Sequence, residues 1–383
     1  MRKQRILELD VLRALAFIFV VIQHTLGGYS NSKMASYNDM LLLKFIYEIA
    51  KSAVPLFLTI TGIVLFYSNY NNFSIKEYYS KKFTYIFLPY VIWSAICLIM
   101  LNKLNRFNDF FMQILSGNCC YHLWYMALLL RILIYFPLIL ILAKYIMKKN
   151  KVIKSSFFIL FFILYQWILK NNHLFTKQIC SIIFKNPSKL QERFINVTPI
   201  LWSIYFVLGI YIIFNYNKFK QFILTNTKII YFIYIISLIY LYYNTIKDKI
   251  GNPLPFIKYN TSLSILAKII SIIFFYLVSL KIINLEGKLY KMLRFIAKYS
   301  FPAYLCHIIV IQKICGELAK YIHPSNCLLY SAILCLLTIF ISTFICYFIN
   351  FFPINKYILG IKSRNQLPLS VNKIKTKIYS FYS

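Results

Sequence analysis

Apolar residues run along this chain in long stretches separated by short polar ones, without the strict alternation of a half-buried strand. Ten stretches stand out: roughly 7–29, 41–68, 83–101, 121–142, 155–170, 197–214, 229–246, 261–283, 295–315 and 327–350. Each covers or nearly covers the ~20 residues a helix needs to cross a ~30 Å hydrocarbon layer. In lipid the backbone must satisfy its own hydrogen bonds, so uninterrupted apolar runs of this length are predicted to be helices. The pattern predicts an all-α, polytopic membrane helical bundle of about ten transmembrane helices. No Gly/Ser linker, internal repeat or appended soluble domain breaks it. Residues 1–352 are expected to form one transmembrane domain and 353–383 a basic cytoplasmic tail. The first stretch lacks a small-residue cleavage pattern and carries Asp10 and Arg13, so it is expected to be a retained helix.

Composition narrows the class. Hydrophobic residues make up 60% of the chain and charged residues 14%, against about 25% charged in a soluble domain. That excludes a soluble enzyme, a disordered chain and a disulfide scaffold. The 43 Lys and Arg against 10 Asp and Glu, net +33, resemble a nucleic-acid-binding balance. In a membrane protein they fit loops lying on anionic lipid, and no nucleic-acid partner is expected. With the N-terminus inside, the inner connecting segments carry 23 Lys and Arg and the outer ones 12. The excess places both termini in the cytoplasm. The nine cysteines form no CxxC pair and no zinc spacing, so no metal site is expected. Abundant Lys, Ile, Asn, Tyr and Phe discount any single Lys or Tyr as a signal.

Candidate chemistry starts in the first stretch. At about 100° per residue, Asp10, Arg13 and His24 share a helix face about 60° wide, and Arg13 and His24 lie about 16 Å apart along the axis. Ionisable residues at membrane depth are costly and usually face a bundle interior or a water-filled path. The plain alternative is a structural Asp10–Arg13 pair near the interface with an incidental histidine.

These residues carry a resemblance. The Arg-x10-His spacing of Arg13 and His24, preceded by Asp10, resembles the first-helix signature of the membrane acyltransferase 3 family, integral-membrane O-acyltransferases of bacterial surface polysaccharides. Further elements follow in that family's order: Ala53–Gly62 (AVPLFLTITG), Lys81-Lys82 with Pro89–Ser94, Tyr121–Tyr125 (YHLWY) with Pro137, and Tyr299–His307 (YSFPAYLCH). The likeness spans residues 7–310; beyond that only a tenth helix matches. Two departures stand out: Lys81-Lys82 replace an Arg-containing basic cluster, and Arg131 in mid-span belongs to no part of the pattern.

The resemblance implies transfer of an acyl group, acetyl first among candidates, from cytoplasmic acyl-CoA to a hydroxyl of an extracytoplasmic glycan at the bacterial cell membrane. It implies no tightly bound cofactor: acetyl-CoA or another acyl-CoA is the donor substrate. The acceptor is a surface polysaccharide or lipid-linked glycan, and anionic membrane lipids and glycan-synthesis proteins are the further partners. Histidine, with an ordinary pKa of ~6.5, suits removal of a hydroxyl proton, which makes His24 the expected base, with Asp10 holding Arg13. Arg13, Lys81, Lys82 and Arg131 are expected to meet the donor. His122, Trp124, Tyr125, Glu48 and His307 are expected near the acceptor. Plainer roles stay open: helix capping or packing for His122 and His307, interfacial aromatics for Trp124 and Tyr125, and a solvated helix start for Lys44, Glu48 and Lys51. His173 and His323 are expected in outer loops as ordinary surface residues. Arg131 needs a partner or water at mid-span; it is expected to face the central cavity and either pair with Glu48 or help guide the donor's acyl-pantetheine arm, with a purely structural ion pair as the plainer reading. A polysaccharide exporter or flippase is the competing function, disfavoured by the nine glycines and the lack of a repeat.

Overall fold

The computed structural model describes residues 5–30, 32–33, 35–247, 262–285, 287–323 and 326–361. These residues are helical, with no strand among them. Among the described residues, nine segments are long and apolar enough to cross a membrane, or ten if one pair bent by 41° counts as a single span. The protein is therefore an all-α polytopic membrane bundle.

The first expected span divides into α1 (Glu8–His24) and the single turn α2 (Leu26–Tyr29). Thr25 turns the chain between them, and its hydroxyl and amide both donate to the Val21 carbonyl, at 2.8 and 2.9 Å. His24 is thus presented at the end of α1. The second span also divides, into α3 (Tyr37–Ala50) and α4 (Ala53–Asn69). Pro55 falls in the first turn of α4, where its missing N–H has no intrahelical partner to lose. Next come α5 (Ile75–Lys82), a π turn over Phe83–Phe87, and α6 (Leu88–Met100). The widened turn falls where Pro89 lacks the N–H that would bond Tyr85.

A short α7 (Phe110–Ser116) ends on Gly117 at φ +64°. A Cβ there would lie 2.5 Å from Trp124 Cα, so only glycine lets the 117–123 turn fold back beneath α8 (Trp124–Met147). The fifth span differs from expectation: α9 (Lys151–Phe184) runs for 34 residues, through a segment read as part of an outer loop. No Gly or Pro occurs from 151 until Pro187, so nothing interrupts the helix before that proline. His173 accordingly lies on a helix. Then follow α10 (Lys189–Asn196), a 3₁₀ turn, α11 (Ser203–Phe214), α12 (Tyr216–Thr225) and α13 (Thr227–Lys247). After residues outside the described set, α14 (Ser262–Asn284), α15 (Lys288–Leu318), α16 (Cys327–Ile349) and α17 (Asn355–Leu359) follow.

Helix α1 lies at the centre, packed against α4, α14 and α15. The tightest helix contact joins α4 to α11. A Cβ on Gly62 would strike the Phe206 carbonyl and one on Gly209 the Thr59 carbonyl. Small residues thus let the two backbones meet, which is how helices gain packing energy in lipid. The bundle also extends past residue 352. In α17 Leu359 and Asn355 are buried, and Trp93 Nε1 donates to Ile358 O at 3.0 Å. The rest of the expected tail lies outside the described residues.

Candidate functional site

Three histidines from three parts of the chain meet beside the end of α1. His24 arrives because α1 stops there, His122 because Gly117 folds its turn back, and His307 from α15. The ring centroids of His24 and His307 are 5.4 Å apart and those of His122 and His307 are 4.8 Å apart. His307 and His122 are buried, at 0% and 2% exposure. The Nδ1 of His307 lies 2.7 Å from Tyr304 O. A carbonyl only accepts, so Nδ1 carries the proton and Nε2 is left as the basic nitrogen. That Nε2 and both ring nitrogens of His122 are buried without a hydrogen-bond partner. Among the described residues no group of three His, Cys, Asp or Glu is arranged to hold a metal ion.

Two cavities open near opposite ends of α1; the three histidines line neither, but each cavity is walled by a tyrosine in ring contact with the cluster. The first, about 230 Å³, is lined by Arg13, Thr61, Lys82, Tyr125, Met126 and Tyr304 among others. Tyr304, part of its lining, links it to the cluster: its ring is 5.4 Å from His122 and 5.6 Å from His307, and its hydroxyl donates to the His122 carbonyl. Arg13 is held by Asp10 at 3.5 Å, and Asp10 is also paired with Arg5 at 2.7 Å. The Arg13 side chain is 34% exposed, so its guanidinium is anchored on one side and open on the other.

The second cavity, about 1350 Å³, lies beyond His24 and is lined by Gln23, Tyr47, Lys51, Gln113, Asn118, Tyr121, Trp124, Arg193 and Trp202 among others. The Tyr121 ring is 5.1 Å from His24, and Trp124 and Trp202 form a ring pair at 5.3 Å. Through these rings His24 neighbours the second cavity by way of Tyr121, His307 the first by way of Tyr304, and His122 both.

The predicted residues sort unevenly onto this frame. Lys82 lines the Arg13 cavity, but its neighbour Lys81 turns to the surface and pairs with Glu77. Of the residues expected near the acceptor, Trp124 lines the large cavity, whereas Tyr125 lines the Arg13 cavity. His122 and His307 are turned inward to the cluster. Glu48 is buried behind the wall, where it accepts from Lys51 and from the Thr245 hydroxyl.

Arg131 corrects an expectation. It donates to Val197 O and, at 3.1 Å, to Leu115 O, with its guanidinium 4.4 Å from the Phe194 ring. Its partners are thus carbonyls at the C-terminal ends of α7 and α10, groups that lack intrahelical partners and carry the negative end of the helix dipole. The expected pairing with Glu48 is replaced by this clamp, which joins both short helices to α8.

Several lining residues were not assigned a site role from the sequence. Tyr304 and Tyr121 lay within the quoted 299–307 and 121–125 segments, and Gln23 adjoins His24. Lys51 was expected with Lys44 and Glu48 at a solvated helix start, but all three are buried. No sequence signal pointed to Trp202, Gln113 or Asn118.

The acyltransferase 3 model, described as an acyltransferase domain, matches residues 6–347. No curated protein and no solved structure matches the chain.

Proposed function

The chain belongs to the acyltransferase 3 family, and from that membership we propose that it moves an acyl group from acyl-CoA in the cytoplasm to a hydroxyl of a glycan outside. Acetyl is the favoured group and the bacterial cell membrane the favoured setting. The observation that carries this reading is the histidine cluster standing between two cavities of unlike chemistry.

In this proposal the Arg13 cavity takes the donor. A volume of about 230 Å³ is below the ~300–1,000 Å³ of pockets that enclose drug-sized ligands. It suits a narrow acyl-pantetheine arm, with the phosphates left at the mouth near Arg13 and Lys82. Arg13 can offer two parallel N–H donors to a phosphate and Lys82 a point charge. Arg13 lies about 16 Å along α1 from His24, so an arm entering beside Arg13 must extend to Tyr304 to present its thioester at the histidines. The large cavity takes the glycan, whose hydroxyl is delivered to His24.

His24 accepts the hydroxyl proton as the oxygen attacks the thioester carbonyl. The carbon–sulfur bond then breaks, and the CoA sulfur departs with the proton returned through the histidines. The neutral tautomer of His307 leaves Nε2 a lone pair with no hydrogen-bond partner, so His307 serves as the neighbouring acceptor in that transfer. Asp10 positions Arg13 and does no proton chemistry.

Mass spectrometry of surface glycans from cells with and without this chain tests the function. Loss of acyl esters from an otherwise intact polymer is the expected result. Loss of the polymer itself would replace this reading with export.

A further inference from the structure

A third cavity, about 770 Å³, lies at the opposite end of α1 from His24 and has no part in the scheme above. Arg5, Asn71 and Asn217 form its exposed rim, and the buried Glu8 and Phe66 its floor. Between them the Tyr70 and Phe214 rings meet at 5.1 Å. Glu8 is the informative residue. It is 4% exposed, and the hydroxyls of Tyr216 on α12 and Tyr276 on α14 both donate to the same oxygen, Oε1. Its Oε2 has no hydrogen-bond partner among the described residues. A buried carboxylate oxygen needs a donor, so Glu8 calls for an N–H or O–H group from whatever fills the cavity.

Two further features describe that ligand. Arg5 lines the cavity and pairs with Asp10, the carboxylate that also holds Arg13. The guanidinium at this rim and the one in the donor cavity are thus one carboxylate apart. The two cavities also flank α4, where Leu65 lines the Arg13 cavity and its neighbour Phe66 lines this one. A molecule with a phosphate for Arg5, a planar ring for Tyr70 and Phe214, and an amine for Glu8 meets every one of these groups.

We infer that this cavity takes the adenine nucleotide of the acyl-CoA donor. The inference rests on the donor reading of the Arg13 cavity and adds the site of the other half of the molecule. The Arg13 cavity suits only the acyl-pantetheine arm, so the nucleotide needs a place within reach of the diphosphate. With the diphosphate extending from Arg13 to Arg5, the arm runs on one side of α4 and the nucleotide on the other. The exocyclic amine of adenine then donates to Glu8 Oε2. A volume of about 770 Å³ is within the ~300–1,000 Å³ of pockets that enclose ligands of this size. A lipid tail in the same place would set methylenes against the free carboxylate oxygen and leave it unpaired, which is costly.

Equilibrium binding of the two halves of CoA to the full chain in detergent tests it. Adenosine 3′,5′-bisphosphate stands for the nucleotide and 4′-phosphopantetheine for the arm. Inosine 3′,5′-bisphosphate, with a carbonyl in place of the amine, is the third probe. The adenosine probe should bind about tenfold or more tighter than the inosine probe. In Glu8→Gln the amide oxygen can keep both phenols while its NH₂ replaces the free oxygen. The preference should then reverse toward inosine, with binding of the arm probe unchanged. Lys220→Gln, at a half-buried lysine of the lining, should weaken both nucleotides severalfold and leave the arm probe alone; this variant and the adenosine–inosine comparison decide the matter if Glu8→Gln does not fold. Equal binding of the two nucleotides, or an unaltered preference in folded Glu8→Gln, overturns the inference. Binding of the arm without the nucleotide also overturns it and leaves the donor reading standing. Absence of binding by CoA and by both halves overturns the inference and the donor reading together.

Discussion

The two cavities that flank the histidines differ in size and in the way their charges are held. The Arg13 cavity is narrow, and Arg13, one of its two cations, is steered by Asp10 on the same helix. The Trp124 cavity is about six times larger in volume, and its cations are spread over several helices. The first is built to orient one slender chain, the second to admit bulky ligands of variable shape. This division matches the needs of group transfer, in which a fixed donor serves a varied acceptor.

Kinetic changes should therefore separate by cavity. The largest is expected at Arg13 with Lys82. Hydrogen bonds to charged groups contribute about 1.5–3 kcal/mol, so Arg13→Gln should raise the KM for acyl-CoA by roughly ten- to hundredfold while leaving the acceptor KM alone. Lys82→Gln should act in the same direction and less strongly. Lys81→Gln is the internal control: its exposed pair with Glu77 is worth under about 1 kcal/mol, and donor kinetics should not move. A Lys81→Gln effect as large as that of Arg13→Gln would break the assignment of the cavity.

Arg131→Gln comes next. Removing the clamp frees the Leu115 and Val197 carbonyls and should cost about 1–3 kcal/mol, read as lower thermal stability in detergent. Because α7 and α10 wall the large cavity, the acceptor KM should rise with it, and the donor KM should stay constant. A changed donor KM with unchanged stability would restore Arg131 to the donor path. The smallest effect belongs to Trp124→Ala, which removes one ring of a pair. Single aromatic anchors contribute on the order of 1 kcal/mol, so the acceptor KM should rise about fivefold and the donor KM should not change.

Much of this fold was legible in the apolar pattern, because a membrane helix must be long and nearly uninterrupted. The polar stripe of α1 was legible for the same geometric reason: Asp10, Arg13 and His24 keep helical spacing. What the pattern concealed depended on contacts between distant segments. Trp124 and Tyr125 were read as one aromatic unit, yet the 100° step between neighbours sends them to different cavities. Arg131 was assigned an acidic partner because acids are scarce in the spans; the free carbonyls at the ends of two short helices, which no sequence marks as such, meet its need instead. Lys268 was passed over as one more lysine in a lysine-rich chain, and only its burial beside Glu48 and Lys51 sets it apart. The extent of α9 was underestimated because polar residues 170–184 resembled a loop, although no breaker stops the helix there.

The central claim is that acyl transfer between the two cavities runs through His24. Initial-rate kinetics of His24→Ala in purified, folded protein, with donor and acceptor varied in turn, test it most directly. A positioned acid or base contributes about 10²–10⁴-fold, so kcat should fall by at least a hundredfold while both KM values stay near those of the unaltered protein. A variant that keeps kcat within a few-fold of normal would contradict the claim and leave the space between the two cavities without its chemistry.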